Sequence, residues 1–316
     1  MMSGRPFLAG FFGALALAAL VASSALVLAA GEITAAYGWT ANIVRERTII
    51  LDRPQPDRIV IVAGSGGLFG ISAAELSRRT GRPVVNASSH AALQWEMLDY
   101  YFLSRVVRGD TVIFPLEYQY YLDGSNDTLT NLSAEAVHSL GLGYFWTLPM
   151  SEKWRYVSLL RPRFLKMQIA SAVGEYRFVA AGGYWKYPSH WNGDLDTRLA
   201  QSVAVAPLWG GSGVGPKAYQ RLCASFRRLA ARGVRVIGTP PNAYVREGSR
   251  ATTAKLLAEA ANLFKDCHGE FVVPESSALF GPSDMIDTPY HLTPTAKMKR
   301  TSDLADALCA RAIRCK

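Results

Sequence analysis

Histidine is scarce in this chain, with five in 316 residues, and its four cysteines all fall in the last third. Cys223, Cys267, Cys309 and Cys315 match no CxxC or zinc-ligand spacing. His138, His190 and His268 have no carboxylate or cysteine at ligand distance along the chain, so they read as surface or insertion residues and no metal is implied. A basic block is lacking too. The formal net charge is +9, but it is spread over "RERTIILDR", "RFLKM", "SFRRLAAR" and "KMKRT". Spread charge is a solvated surface facing an anionic leaflet or an acidic glycan, which argues against nucleic acid as a partner. The glycines of "GSGGLFG" do not form a dinucleotide fingerprint, because the third glycine of G-x-G-x-x-G would fall at Phe69 and no acid follows near position 86; no cofactor is implied. Internal repeats and low-complexity segments are absent.

What is present starts with an uncharged run, residues 7–30 ("FLAGFFGALALAALVASSALVLAA"), with Arg5 just before it. About 20 apolar residues cross a bilayer, and the positive flank places the N-terminus in the cytoplasm and the bulk outside. The expectation is one uncleaved transmembrane anchor in the inner (plasma) membrane and a periplasmic domain. A cleaved signal peptide competes, although its apolar core is usually only about 7 to 15 residues. Outside the cytoplasm two disulfides are expected, Cys223 with Cys267 and Cys309 with Cys315 among three possible connectivities, with free buried thiols as the alternative. Asn86, Asn126 and Asn131 each begin an N-x-S/T sequon, relevant only in a glycosylating host.

With 49% hydrophobic and 19% charged residues, the rest is enough for one large globular domain, residues 57–316. Strands are expected at "DRIVIVA" (57–63), "RPVVNAS" (82–88), "GDTVIFPLEY" (109–118), "GVRVIGT" and "EFVVP". Between them come a glycine turn and a helix opening at Ser72 with a Glu75 capping box, then the amphipathic "AALQWEMLDYYFLSRVV". Further helices are expected over about 216–232, about 250–265 and after Thr293. Near-continuous apolar strands alternating with helices imply a parallel sheet buried on both faces, here a flavodoxin-like, doubly wound α/β sandwich of five strands. Residues 125–215 interrupt it with a long, mainly helical and loop insertion rich in aromatics, expected to be a lid or an interaction platform. Its aromatics from Tyr144 to Trp191 either stack on sugar rings or pack the insertion's own core.

Ligands in such sheets bind beyond the C-terminal strand ends. The first strand ends at Ser65, followed by Gly66 and Gly67, whose N–H groups would make an oxyanion hole. Asn86, Ser88, Ser89 and His90 end the second strand, and Glu117 ends the third. His90 is a base or substrate contact, or a structural hydrogen-bonding residue. Glu117 is either a lone carboxylate of the site or the partner of an insertion arginine. Near the C-terminus, "DTPYHLTPTAKMKRT" holds Asp287 and His291 four residues apart around Pro289, which keeps them out of a helix. Thr293-Pro294 then reads as N-cap and first helical residue, pinning that loop. A fixed carboxylate and imidazole are half of a catalytic triad, with Ser65 as the nucleophile they require; Asp284 is the fallback acid.

"IVAGSGGLFGIS", "PVVNASSHA", "GDTVIFPLEY" and "DTPYHLT" resemble the SGNH (GDSL-like) hydrolase superfamily, and within it the membrane-anchored extracytoplasmic branch of D-alanyl transfer (DltD-like) proteins that act beside membrane-bound O-acyltransferases. The resemblance covers roughly residues 57–118 and 216–310. It implies Ser65 as nucleophile, His291 as general base and Asp287 as its orienter. It departs from the family where a glycine N–H is usual, with Ser88 at the nearest position. It departs again where G-x-N-D is usual: the third strand ends in "PLEY" and "GSND" arrives late, leaving Asn126 and Asn86 as substitute oxyanion candidates. The resemblance implies O-acyl transfer, with acetyl the expected group, or ester hydrolysis on a cell-surface or exported polysaccharide, with a membrane-bound O-acyltransferase partner. The alternatives are an inactive SGNH-like glycan-binding or scaffold subunit and a free-standing esterase or lipase.

Overall fold

The computed structural model describes residues 10–21, 39–53, 55–124, 130–159, 192–195, 197, 204–208, 213–274 and 280–315. The chain forms two compact units. One comprises Ile43–Ser133 and Gly182–Lys316, and the other Met1–Asn42 and Ala134–Ala181.

The larger unit is an α/β layer structure around a five-stranded sheet. Strands β1 (Ile59–Ile61), β2 (Val84–Asn86), β3 (Thr111–Phe114), β4 (Arg235–Gly238) and β5 (Glu270–Phe271) lie in the order β2-β1-β3-β4-β5, every neighbour parallel. Five strands, all parallel, are what the alternating apolar runs implied, and the order is compatible with a flavodoxin-like sheet. The strands are shorter than their runs, since pairing stops where the chain turns into the loops of the C-terminal edge. Ile59, Val60 and Ile61 are wholly buried, as a parallel strand covered on both faces must be. Chain order reverses between β1 and β3, which opens a crevice at their C-terminal ends.

Preceding the sheet is helix α1 (Trp39–Leu51). The residues expected to form a glycine turn after β1 instead form a short helix, α2 (Ser65–Gly70). The next helix, α3 (Ala73–Thr80), starts at Ser72, whose Oγ accepts from Glu75 N–H at 3.2 Å. The reciprocal half of the expected capping box is absent, because Ser72 N–H donates to Thr301 Oγ1 and Glu75 pairs with Arg78. Asp194 instead takes the N–H groups of Ala73 and Ala74, at 2.7 and 2.9 Å, so the returning end of the insertion completes the cap. The single helix expected over 91–107 is shorter, α4 (Trp95–Tyr101), followed by a 3₁₀ turn at Leu103–Arg105. In the insertion, α5 (Asn131–Leu140), α6 (Gly143–Thr147) and α7 (Met150–Leu159) are helical, as composition suggested. The late helices α8 (Pro216–Ala231), α9 (Arg250–Asp266) and α10 (Pro294–Arg311) lie close to their expected bounds.

At the N-terminal ends of the strands Arg58 and Asp110 form a buried ion pair at 3.0 Å, and Arg58 also donates to the carbonyls of Leu51, Arg53 and Arg105. Full satisfaction of the guanidinium is what permits its burial. Both expected disulfides are formed: Cys223–Cys267 ties α8 to the end of α9, and Cys309–Cys315 closes the end of α10.

The 7–30 run lies partly outside the described residues. Residues 10–21 are helical and exposed, and no helix among the described residues is long and apolar enough to cross a membrane.

Candidate active site

Ser65, the Asn86–His90 segment and Glu117 lie at or just beyond the C-terminal ends of β1, β2 and β3, and the His291 loop packs against α2. Ser65 opens α2 and is buried, its position fixed by packing on both sides of the turn. A Cβ on Gly64 would lie 2.5 Å from the Ala91 backbone and 2.6 Å from Glu117 Oε1, so only glycine lets the chain turn there. One helical turn after Ser65, the Phe69 ring stacks on the His291 imidazole with centroids 4.2 Å apart. Phe69 thus ties the His291 loop to the helix that Ser65 opens.

His291 is held from several directions. Its Nδ1 lies 2.7 Å from Asp287 Oδ1, and the carboxylate accepts that proton, which leaves Nε2 as the basic nitrogen. The loop behaves as the Pro289 argument requires. Ile286 N–H donates to His291 C=O at 2.8 Å, His291 N–H to Thr288 C=O at 3.2 Å, and Met285 bridges Leu292 antiparallel. Asn242 donates to Tyr290 C=O, and Tyr244 N–H to Pro289 C=O. Thr293 caps α10 by accepting from Ala296 N–H. His291 is 1% exposed, and burial pulls its pKa below the ordinary imidazole value; the Asp287 bond and charge act in the opposite direction. Asp284 does not reach for the imidazole. Its carboxylate accepts from Gly281 N–H at 2.9 Å and closes the 3₁₀ turn Pro282–Asp284.

Glu117 occupies a place the sequence left undecided. It is completely buried, and its two oxygens accept from Gly64 N–H at 2.9 Å and Gly66 N–H at 2.6 Å, the residues on either side of Ser65. No arginine pairs with it among the described residues. Burial raises its pKa, with the two amide bonds opposing that shift. Neither "PLEY" nor its spacing announces this role; only the sheet register that sets β3 beside β1 does.

The expected oxyanion donors are largely committed elsewhere. Gly66 N–H is engaged by Glu117, because a buried carboxylate takes the nearest donors. Ser88 N–H donates to Asn86 Oδ1 at 3.1 Å, and Asn86 Nδ2 donates to the carbonyls of Gly67 and Ile71 at 3.2 Å each. Asn86 thus holds the β1–α2 turn closed. Gly67 is pressed against Ser88, whose Oγ would lie 2.3 Å from a Cβ there. The hydroxyls of Ser88 and Ser89 are buried with no hydrogen-bond partner among the described residues. His90 Nδ1 accepts from Ala92 N–H at 3.0 Å, the structural bond that was one of its two readings. Burial, and behind it the neighbouring His291, lowers its pKa to about 4, so it is neutral at physiological pH. Asn126 and His190 lie outside the described residues, as do the side chains of Asn131 and His138. Asp194, which sequence reasoning missed, lies near this turn through its cap on α3.

No family model matches the chain, and no curated protein matches it in sequence.

Proposed function

We propose that the chain is a serine-dependent acyl-transfer enzyme of SGNH type, membrane-anchored with its larger unit outside the cytoplasm. Ser65 is the nucleophile, His291 the general base and Asp287 its orienter. The observation that carries this reading is the His291 Nδ1 to Asp287 Oδ1 bond of 2.7 Å, made by an imidazole stacked on the helix that begins with Ser65. In the first half-reaction Ser65 Oγ attacks the carbonyl of an acyl donor while its proton passes to His291 Nε2. The tetrahedral intermediate collapses, the C–O or C–S bond to the leaving group breaks, and His291 protonates that group. In the second, His291 takes a proton from a sugar hydroxyl or from water, that oxygen attacks the acyl carbon, the bond to Ser65 Oγ breaks, and His291 returns the proton to Ser65 Oγ. A polysaccharide acceptor, acetyl as the group and a membrane-bound O-acyltransferase as donor partner rest on the sequence resemblance.

The test is acetyl transfer from p-nitrophenyl acetate by the full chain in detergent, with and without an oligosaccharide acceptor. Release of p-nitrophenol that is lost in Ser65→Ala and rises with acceptor supports transfer; release indifferent to acceptor supports a free-standing esterase. A second reading is favoured by one observation. Gly66 N–H, Ser88 N–H and the Asn86 amide are all engaged within the protein, which suits an inactive glycan-binding or scaffold subunit. It predicts oligosaccharide binding with no turnover.

A further inference from the structure

The smaller unit presents an apolar surface on α6 and α7. Trp146, Met150, Trp154 and Val157 are 68, 66, 69 and 51% exposed. Met150, Trp154 and Val157 follow i, i+4, i+7 spacing, so they form one stripe along α7, while Tyr144, Leu148 and Tyr156 are buried. Trp154 on this stripe and Trp146 on the neighbouring α6 are unusual for a water-facing surface, because exposed apolar patches of this kind mark contacts.

The charges around it favour one occupant. Lys153 Nζ lies 5.6 Å from the Trp146 ring and 5.8 Å from that of Phe145, and Arg155 is exposed on the same helix. Glu152 is the only acid between residues 141 and 159, and the sequence then adds Arg161, Arg163 and Lys166 before the next acid, Glu175. The same compact unit contains the uncharged run 7–30, of which residues 10–21 form a helix exposing Phe11, Phe12, Leu15, Leu17, Leu20 and Val21. Tryptophan beside lysine and arginine suits the headgroup layer of a bilayer, where an amphipathic ring keeps its apolar body in the acyl boundary and cations meet lipid phosphates.

We propose that the Trp146–Val157 face of α6 and α7 rests in the headgroup region of an anionic bilayer, a second membrane contact besides the N-terminal run. It does not depend on the catalytic reading. All four cysteines are in disulfides, so a single introduced cysteine can be labelled. Trp154→Cys and, as a check against misfolding, Met150→Cys would carry an environment-sensitive nitrobenzoxadiazole label in the full chain, reconstituted in vesicles of phosphatidylcholine and phosphatidylglycerol. Val107→Cys, 51% exposed in the larger unit, is the comparison. Expected is blue-shifted emission at 150 and 154, quenched several-fold more by brominated lipid than at 107, and weaker quenching in pure phosphatidylcholine. Labels as solvent-like as that at 107 would overturn the proposal. So would blue-shifted emission that brominated lipid does not touch, which would mark a second copy or another protein as the occupant, or quenching unchanged without the anionic lipid.

Discussion

His291 is where charge, burial and geometry meet, and its behaviour is the sharpest residue-scale consequence. Asp287→Asn removes the acceptor that fixes the imidazole tautomer, so turnover should fall on the order of 10²–10⁴-fold with KM little changed, measured as ester hydrolysis. The pH dependence follows from burial. His291 must be neutral to act as a base, and its pKa is lowered mainly by desolvation, so turnover should rise through a midpoint below the ordinary imidazole value of about 6.5 and be flat at neutrality. A midpoint above neutrality would mean that Asp287 outweighs burial. The stability consequence has the same direction. His90 and His291 have folded pKa values below their unfolded ones, so the stability they contribute is complete above about 6.5 and is lost as pH falls, for His90 down to about 4. Glu117 is opposite: its folded pKa is raised, so its contribution is present in acid and is lost as pH rises through the folded value. Glu117→Gln keeps the size but leaves one oxygen to serve two N–H groups. Labelling of Ser65 by a fluorophosphonate should slow about tenfold, since leaving one buried N–H unsatisfied costs about 1–3 kcal/mol. An unchanged labelling rate would reduce Glu117 to core filling.

At the scale of elements, the glycines of α2 couple the serine helix to the histidine loop. A Cβ on Gly70 would fall 1.9 Å from Asn242 Oδ1, and Asn242 also holds Tyr290 C=O beside His291. Gly70→Ala should therefore cost about 1–3 kcal/mol by overpacking and disturb the loop as well. Thermal unfolding and ester turnover should fall together; loss of stability alone would show that α2 and the loop are independent. Elements of this kind were legible where one local cause decides them. Pro289 and the Thr293-Pro294 pair are visible in the string of residues, and loop and cap sit where they imply. The turn after β1 was misread as a bare glycine turn because glycine propensity argues against helix, and the packing of Gly64, Gly66 and Gly67 against Ala91, Glu117 and Ser88 overrides it. Asp194 capping α3 from over a hundred residues away has no local signal at all.

For the whole molecule, the alternation of apolar runs with helices was sufficient for strand count and direction, since near-continuous apolar strands need cover on both faces, while the order β2-β1-β3-β4-β5 came from the structure. Site residues at strand ends came with that topology. The oxyanion assignment did not, because which amide meets which side chain depends on register and on Glu117, not on composition. The disulfides act at this scale. Cys223–Cys267 closes 44 residues of sequence and Cys309–Cys315 only 6, so the first should contribute more, roughly 2–4 kcal/mol on the chain-entropy account. Thermal unfolding of Cys223→Ser/Cys267→Ser beside Cys309→Ser/Cys315→Ser should show the larger loss in the former.

Everything proposed for the site depends on Ser65 being an activated nucleophile. Its most direct test is labelling of the folded full chain in detergent with a fluorophosphonate probe, followed by mapping of the modified residue. Expected is a covalent adduct on Ser65 that is lost in Ser65→Ala and in His291→Ala. A folded wild-type chain that takes no label, or an adduct that persists in His291→Ala, would contradict it.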